Sequence, residues 1–590
     1  MAALFTTPKR NDKTSGAHFV EPDVRRRTLL AHGSWRRVTR RIVAGAVCAL
    51  TVSSLLMPSV SLAAERVNVG DTWYEAGAAV GDEAGTWAWD GADDMKLNGY
   101  NGGAIQAAGK LNVSYSGNNT VTNENGRGIL VMDGNAENAE LNIQGDASST
   151  LNVTSSSDAI MSDGDINIDG AGTVNATSTE FDAVNAMGDL TIKGSGNVNA
   201  TGDSNGIRAD GNITIDNSGT VTAKATVNQG IDAEENLTIK GGGTVEASSI
   251  ENVAIWADGN IDISGGSQVK VSSEENYAVK AKGGLTVTNA SLNAHGVGYG
   301  VYAYKGITLD HATVTVRAAA ERDDVSALFT DEDDIVIKNG SIVDAFAEGQ
   351  FSTAISTRNY YPNEAGGHIY ISDSVVKAIA RYVESGSDGP DHYSNDQSGG
   401  VIPEPRGLNI GIFAQTYEGI APASISIVRS KLTAEGDTAA IFALAISEDG
   451  KAIGTIEIEG APIQTPAGGK IINYRYEEEY GPSISYEAGQ TIGTGDTTID
   501  SPYNEAVAKS TVIMPPEEIK PEEKPGETKP EGSKSESTKT TKTVAVAATG
   551  AKTTGKLAAT GDASNAAIVA AALAGTAAIA AGAVVSRKRS

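Results

Sequence analysis

The sequence is poor in large side chains and in cysteine. Of its 590 residues only 5% are aromatic, with 8 Phe and 5 Trp, and Cys48 is the single cysteine. So few aromatic residues exclude a thick globular core. Cys48 lies in an N-terminal segment that we expect to be removed, so the mature chain has neither a disulfide nor a thiol nucleophile.

Positive charge is also scarce. The formal net charge is -28, with 46 Lys and Arg against 74 Asp and Glu. Nucleic-acid binding depends on basic residues that neutralise phosphates, so we expect no nucleic-acid partner. The chain is 40% apolar and 20% charged and contains 68 Gly, which excludes simple disorder. This composition favours thin, repetitive β structure with an acidic surface that attracts cations.

The N-terminus has the pattern of a secretory signal. Residues 1–41 hold ten Lys or Arg and three acids, a net charge of +7, and an apolar run follows at 42–57. Small residues at 61–64 then fit a cleavage site after Ala63 or Ala64. We therefore predict a signal peptide over residues 1–64. The alternative is a membrane-spanning helix, for which the apolar run is short.

The C-terminus ends in an ordered set of signals. Leu557-Ala558-Ala559-Thr560-Gly561 precedes an apolar stretch at 566–585 and the basic tail 587–589. This arrangement resembles the sorting signals of Gram-positive wall-anchored proteins, in the Leu-Ala-x-Thr-Gly variant. The resemblance implies that sortase cleaves after Thr560 and links the protein to peptidoglycan. The stretch 566–585 would then sit in the membrane only transiently, and the alternative is a permanent tail anchor.

These two ends indicate where the protein resides. The signal carries +7 and residues 561–590 carry +2, so residues 64–560 carry -28 - 7 - 2 = -37. We expect a strongly acidic protein that is secreted and covalently attached to the cell wall of a Gram-positive bacterium.

A repeat of 22–24 residues fills the middle of the chain. Each unit contains three short segments in which apolar residues alternate with polar ones, separated by turns rich in Gly and Asn, which is the pattern of strands with one buried face. Three strands per unit predict an all-β parallel β-helix. The clearest units begin at Ile166, Leu190, Ile213, Leu237, Ile261, Leu285 and Ile307. Weaker units begin at Leu111, Leu141, Ile335, Ile369, Ile425 and Ile456.

The repeat sets the domain boundaries. We predict an N-terminal cap at 65–86, the β-helix at 87–505 with insertions after about residue 345, and a linker at 506–556. The linker is rich in Pro, Glu, Lys and Thr and has no apolar period, so it suits a wall-spanning segment. The sorting signal occupies 557–590. Four aromatic residues before the first coil are predicted to form part of the cap, and the alternative is a platform on which sugars stack. They are Trp73, Trp87, Trp89 and Tyr100.

One repeat unit resembles a known family. The run Gly206-Ile207-x-Ala209-Asp210-Gly211-x-Ile213 and the opening Trp87-Ala88-Trp89-Asp90-Gly91 are similar to bacterial carbohydrate-binding-domain surface proteins. The resemblance covers about residues 85–345. It implies a right-handed β-helix, and in some members the binding of calcium and of acidic or cellulosic polysaccharide.

The third strand of each unit carries a chemically mixed outward row. A Trp between an acid and a base can stack on a sugar ring while its neighbours bind hydroxyl or carboxylate groups. We predict carbohydrate binding here, with ordinary cross-strand pairing as the alternative. The predicted sugar contacts are Arg208, Asp232, Trp256, Lys280 and Tyr302.

The turn that follows this strand places Asp210, Glu234 and Asp258 in register in adjacent coils. Like charges about 5 Å apart repel each other unless a cation lies between them, and hard oxygen ligands suit Ca²⁺. We therefore predict a possible calcium site and no other cofactor. The alternative is that water screens the three carboxylates.

Catalysis is the less favoured interpretation. A lyase needs Ca²⁺ and a cationic base close together, but Arg208 and Lys280 are three coils apart, roughly 14 Å at the strand spacing. Acidic ladders offer many carboxylate pairs for a glycoside hydrolase, without selecting one. We predict a non-catalytic adhesin that binds extracellular polysaccharide or host glycan. The alternatives are a lyase or hydrolase of acidic polysaccharide, and an adhesin for host protein.

Overall fold

The computed structural model describes eleven segments of the chain. These are residues 64–132, 139–320, 324–359, 366–383, 409–416, 423–436, 439–446, 455–459, 463–464, 472–476 and 510–513. Regular structure in these segments consists of strands that form three long sheets, and nearly every neighbouring pair is parallel. This confirms the predicted right-handed parallel β-helix with three strands per coil. No helix within the described segments is long and apolar enough to cross a membrane.

Each coil contributes one strand to each sheet, and the sheets are numbered here by the order of their strands within a coil. Sheet 1 contains Val80–Gly81, Trp87–Trp89, Asp94–Asn98, Lys110–Ser116, Glu140–Gly145, Asp165–Gly170, Leu190–Gly194, Ile213–Asn217, Leu237–Lys240, Ile261–Ile263, Leu285–Thr288, Ile307–Asp310, Ile335–Lys338, His368–Ser372, Ser424–Val428 and Thr455–Glu459. Sheet 2 contains Asn101–Gly102, Asn118–Asn123, Thr150–Ser155, Thr173–Ser178, Asn197–Gly202, Thr220–Ala225, Thr244–Ser249, Gln268–Ser273, Ser291–Gly296, Thr313–Ala319, Ile342–Gly349, Val375–Tyr382, Lys431–Glu435, Ser510–Ile513 and Ile463–Gln464. Sheet 3 contains Thr72–Glu75, Arg66–Val69, Ile105–Ala108, Ile129–Met132, Ile160–Ser162, Val184–Ala186, Ile207–Ala209, Ile231–Ala233, Ile255–Ala257, Val279–Ala281, Tyr299–Ala303, Val325–Thr330, Ser352–Asn359, Asn409–Thr416, Ala439–Ile446 and Ile472–Tyr476.

The core is a stack of aliphatic side chains in register. Leu190 lies beside Ile213, which lies beside Leu237, and the alternate residues of these strands point inward and are fully buried. Burying one such side chain contributes roughly 1.5–3 kcal/mol. Sheet 2 adds a column of small side chains, in which Ala200 lies beside Ala223. Branched and small side chains fill the narrow interior, which explains why the sequence needs few aromatic residues.

Glycine is required where sheet 1 strands turn into sheet 2. Gly170 and Gly194 occupy equivalent positions in adjacent coils, with φ angles of 106° and 100°. A Cβ atom on Gly194 would lie 2.4 Å from the carbonyl oxygen of Gly170. A larger residue would therefore be strained in its backbone and would clash with the coil below.

Antiparallel strands close the N-terminal end. Arg66–Val69 pairs antiparallel with Ile105–Ala108, and Thr72–Glu75 pairs antiparallel with Arg66–Val69. Trp87–Trp89 also pairs antiparallel with the next strand, Asp94–Asn98. The cap therefore extends beyond residue 86, and the predicted start of the coils at residue 87 is too early. The first parallel pair joins Asp94–Asn98 to the strand that begins at Lys110.

The predicted aromatic cap is buried, with one exception. Trp87, Trp89 and Tyr100 are nearly inaccessible, and the indole Nε1 of Trp89 donates a hydrogen bond to the carbonyl oxygen of Ala92 at 2.9 Å. Trp73 is instead 40% exposed, and the guanidinium carbon of Arg66 lies 4.5 Å from its ring centroid.

The C-terminal end also has an antiparallel strand. Ser510–Ile513 pairs antiparallel with Lys431–Glu435 and with Ile463–Gln464. These four residues fall in the segment predicted as linker, so the boundary at 505 is too early. The rest of the predicted linker, the sorting signal and residues 1–63 of the predicted signal peptide lie outside the described residues.

Candidate functional site

Sheet 3 carries the candidate site on its outward face. The central residues of successive strands pair in the predicted order: Arg208 with Asp232, Asp232 with Trp256, Trp256 with Lys280, and Lys280 with Tyr302. The flanking residues of each strand, such as Ile231 and Ala233, point inward and are fully buried. We call these five outward residues the sheet 3 ladder. Their register is confirmed, while their individual environments differ from the prediction.

The guanidinium group of Arg208 organises the acidic end of the ladder. Its Nη2 atom donates hydrogen bonds to Asp210 Oδ1 and Glu234 Oε1, both at 2.7 Å. Its Nε atom lies 3.8 Å from Asp232 Oδ2. One arginine therefore bridges carboxylates from two coils, including two of the three predicted calcium ligands.

The third predicted calcium ligand also has cationic and donor partners. Lys282 Nζ lies 2.8 Å from Asp258 Oδ1, and the indole Nε1 of Trp256 donates to the same oxygen at 2.6 Å. Among the described residues, no group of three or more His, Cys, Asp or Glu side chains is arranged to hold a metal ion. Basic side chains of the protein thus reduce the repulsion from which we predicted calcium.

Burial sets the ionisation of the acidic end. Removal from water raises the pKa of Asp232 to about 7, although the nearby Arg208 guanidinium opposes the shift. Burial also raises the pKa of Asp182, a carboxyl group that acts electrostatically on both residues. Burial alone would lower the pKa of Arg208, but the carboxylates of Asp210 and Glu234 outweigh it and raise that pKa. Asp232 is thus the ladder carboxyl whose charge changes near neutral pH.

Trp256 lies under lysine side chains. Lys280 Nζ is 4.5 Å from its ring centroid and Lys282 Nζ is 5.3 Å from it. Both distances fit cation–π contacts. The two lysines and the hydrogen bond to Asp258 cover part of this outward-facing indole, which is half-buried.

Tyr302, one of the predicted sugar contacts, is buried in an aromatic cluster. It is 8% exposed, and its hydroxyl group donates a hydrogen bond to Asp331. Burial and this neighbouring carboxylate raise the pKa of Tyr302. Its ring contacts the rings of Tyr277, Tyr299, Tyr304 and Phe329 at centroid distances of 5.9, 5.3, 5.0 and 5.1 Å.

An open depression of about 370 Å³ adjoins this cluster. It is lined by Lys280, Lys282, Tyr304, Lys305 and Glu332, and we call it the basic depression. Lys305 pairs with Glu332, and Lys280 Nζ lies 5.4 Å from the ring of Tyr277 as well as above Trp256. Three ammonium groups therefore surround one concave surface of an acidic protein.

Sequence reasoning found only part of this site. It placed Trp256 and Lys280 together, but it missed Lys282, Tyr304 and Lys305, which lie in the turns after the third strand. Two of these residues could have been found from their place in the repeat. Lys282 and Tyr304 occupy, in the next two coils, the turn position that Asp258 occupies in its own coil. The five sorting-signal residues and most of the large insertion after Val383 lie outside the described residues.

The register also bears on the catalytic alternative. Three successive strand pairings separate Arg208 from Lys280. At a strand spacing of about 4.8 Å the two cations are roughly 14 Å apart along the stack. Arg208 is moreover hydrogen-bonded to two carboxylates, a state that disfavours proton abstraction.

Comparisons with family models, with curated proteins and with solved structures yield no match for this chain. The functional argument therefore depends on the residues of the site themselves.

Proposed function

We propose that this protein is a cell-wall-anchored surface adhesin that binds extracellular carbohydrate without catalysing a reaction. The ligand would be a polysaccharide or a host glycan. Sortase and peptidoglycan would be its partners at the wall. The support for anchoring is the order of signal, linker, pentapeptide, apolar stretch and basic tail along the chain.

The observation that carries carbohydrate binding is the arrangement of Trp256 beside the basic depression. Aromatic rings present apolar faces to sugar rings, and neighbouring ammonium groups donate hydrogen bonds to hydroxyl or acidic oxygens. Trp256, Lys280 and Tyr304 supply both kinds of group from three successive coils. We place the ligand at this end of the ladder, because at the other end the Arg208 guanidinium already pairs with Asp232 and Glu234.

We also propose that calcium binds in the turn that carries Asp210, Glu234 and Asp258. The carboxylates of Asp210 and Glu234 would have to exchange the Arg208 guanidinium for the ion. Asp258 differs from the other two, because its exposed carboxylate contacts one ammonium group and one neutral indole N–H instead of the arginine. A chelator arm in the binding experiment separates calcium-dependent from calcium-independent recognition.

A glycan array probed with the mature protein, with and without EDTA, tests the binding proposal. We expect binding to a defined set of glycans, with Trp256→Ala weakening it. Trp73→Ala is the matched control, since Trp73 also lies under a cationic side chain but at the N-terminal cap. Equal glycan binding by Trp256→Ala and the parent protein would contradict a binding site at Trp256.

Product analysis in the same samples addresses the alternatives. Release of reducing ends would indicate a glycoside hydrolase, and an ultraviolet-absorbing unsaturated product would indicate a lyase. Binding to host proteins stripped of glycans, with no binding to the array, would indicate a protein adhesin. Any of these three results contradicts the proposed non-catalytic recognition of carbohydrate.

Fractionation of cells tests the anchoring proposal independently. Replacing Leu557 and Thr560 by Ala should move the protein from the wall fraction to the membrane or the medium. Thr554→Ala, just before the pentapeptide, is the control and should leave the protein in the wall. Wall retention of the double variant after muramidase release would contradict sortase attachment.

A further inference from the structure

The basic depression has a composition that is unusual for this protein. Lys280 and Lys282 belong to one coil and Lys305 to the next, so their ammonium groups come from two neighbouring turns of the stack. Residues 64–560 carry a net charge of -37, the sum -28 - 7 - 2. Three lysines line this concave surface, and Glu332, which pairs with Lys305, is the one acid among the lining residues, so the lining carries a net positive charge in an acidic protein.

Fixed contacts orient two of these lysines. Lys282 Nζ pairs with Asp258, and Lys305 Nζ pairs with Glu332, while Lys280 Nζ lies over the ring of Trp256. An ammonium group has three donors, so Lys282 and Lys305 can each keep the carboxylate contact and still donate to a ligand. These contacts reduce the side-chain freedom that a bound anion would otherwise have to restrict.

The chemistry of lysine restricts the anion. The planar fork of arginine matches a carboxylate through two parallel hydrogen bonds, whereas an ammonium group acts as a compact point charge. Three separate point donors around a concave surface match an anion with three terminal oxygens that point in different directions. Sulfate and phosphate esters have this shape, and a carboxylate does not.

We propose that the basic depression binds a sulfate or phosphate ester carried by a sugar residue, with the sugar ring against Tyr304. This inference rests on the proposed carbohydrate-binding function and specifies the class of its ligand. Lys280, Lys282 and Lys305 contact the ester oxygens. The half-buried ring of Tyr304, which packs against Tyr302 at a centroid distance of 5.0 Å, supplies a fixed apolar wall.

The test compares one neutral sugar polymer with three of its charged derivatives. Binding of the mature protein is measured by titration calorimetry to dextran, dextran sulfate, dextran phosphate and carboxymethyl-dextran of matched length and substitution. We expect the sulfate or phosphate polymer to bind at least about tenfold more tightly than the carboxymethyl polymer, and the neutral polymer to bind weakest. The better of the two esters identifies the source, a sulfated glycan or a glycan that carries phosphate monoesters.

Lysine variants assign the effect to the depression. Lys280→Gln and Lys305→Gln should each weaken binding of the preferred ester polymer by about fivefold to tenfold. Lys270→Gln is the matched control, because Lys270 pairs with Glu246 at 2.9 Å on sheet 2, away from the depression. Circular dichroism melting of each variant confirms that the coils remain folded.

Three results would overturn this inference. They are equal binding of the ester and carboxymethyl polymers, equal losses in the Lys270 and Lys280 variants, and binding to neutral glycans of the array without any preference for esters. The last result leaves the proposed carbohydrate binding intact. Absence of binding to every glycan, neutral or charged, contradicts the proposed function itself.

Discussion

The indole Nε1 of Trp256 donates a hydrogen bond to Oδ1 of Asp258 at 2.6 Å, two residues further along the same coil. The sequence pattern placed these residues in separate sites, one for sugar and one for calcium. The shared hydrogen bond makes them a single unit, and Lys282 joins it through its ion pair with the same carboxylate. Asp258 therefore holds both the ring and one ammonium group beside the basic depression.

Removing this carboxylate should weaken ligand binding. Asp258→Ala eliminates the acceptor for Trp256 and the counter-ion of Lys282, and we expect about a fivefold loss of glycan affinity, the scale of one net hydrogen bond. Asp258→Asn keeps an oxygen acceptor for the indole and should lose less. Titration calorimetry of both variants against the parent protein measures the difference. Parent-like affinity in Asp258→Ala would show that Trp256 needs no support.

Arg208 should control the response of the protein to calcium. Arg208→Ala leaves Asp210 and Glu234 facing each other without the bridging guanidinium, so we expect the free energy of unfolding to fall by about 1–3 kcal/mol. Added Ca²⁺ should then raise the melting temperature of this variant more than that of the parent protein, because the ion can replace the lost cation.

Differential scanning calorimetry with Ca²⁺ and with EDTA measures both effects. Lys193→Ala is the control, since Lys193 is a cation on sheet 1 paired with Asp169 at 3.4 Å. A Ca²⁺ response of the same size in the parent protein and in Arg208→Ala would mean that the ion binds elsewhere.

Asp232 should make stability fall as pH rises. The pKa of this carboxyl is raised from its ordinary value of 3.8 to about 7 by burial, so the folded state binds a proton that the unfolded chain has released. The contribution to the free energy of unfolding is therefore lost between about pH 4 and pH 7 and changes little above pH 7. Its size is on the order of a few kcal/mol. The charged groups that act on Asp232 are Arg208, Glu234, Asp182 and Asp258.

Asp232→Asn isolates this effect, because the amide does not titrate. Urea unfolding at a series of pH values should show the parent protein losing stability relative to the variant between pH 4 and pH 7. The difference between the two curves removes the contribution of every other acid. Parallel curves across this interval would show that Asp232 is already ionised at low pH.

A charge placed in the aliphatic stack should be severely destabilising. Ile239 is fully buried between Ile215 and Ile263 in the adjacent coils, so Ile239→Asp places a carboxyl group without a partner in the core. We expect a cost of several kcal/mol. Thr214→Asp is the control, because residue 214 points outward and its neighbours in the adjacent coils, Thr191 and Thr238, are uncharged. Similar chemical denaturation midpoints for the two variants would contradict the register.

The repeat made the fold predictable. Period-two alternation fixes which face of each strand is buried, and a constant spacing fixes which residues of adjacent coils pair, so Leu190, Ile213 and Leu237 could be aligned without a structure. The ends were less predictable because they lack the repeat. Ser510–Ile513 is an antiparallel strand inside the predicted linker, a segment without any apolar period.

Only the positions of the site residues along the strands could be predicted. The register shows which residues face outward, but it does not show where the charged ends of long side chains lie. Arg208 reaches Glu234 in the next coil, and Lys282 reaches back to Asp258. Such contacts depend on rotamers that no spacing rule encodes. Tyr302 is buried because Tyr277, Tyr299 and Tyr304, which come from the neighbouring strand ends and turns, pack around it.

The antiparallel strand Ser510–Ile513 has a mechanical consequence. It is the last segment of the described chain, so a pulling force applied from the C-terminal side reaches the coils through its pairing with Lys431–Glu435. Tension would load these few backbone hydrogen bonds before it reached the long stack of parallel strands. The coils that carry Trp256 and the basic depression would then keep their shape under a load that has already detached this strand.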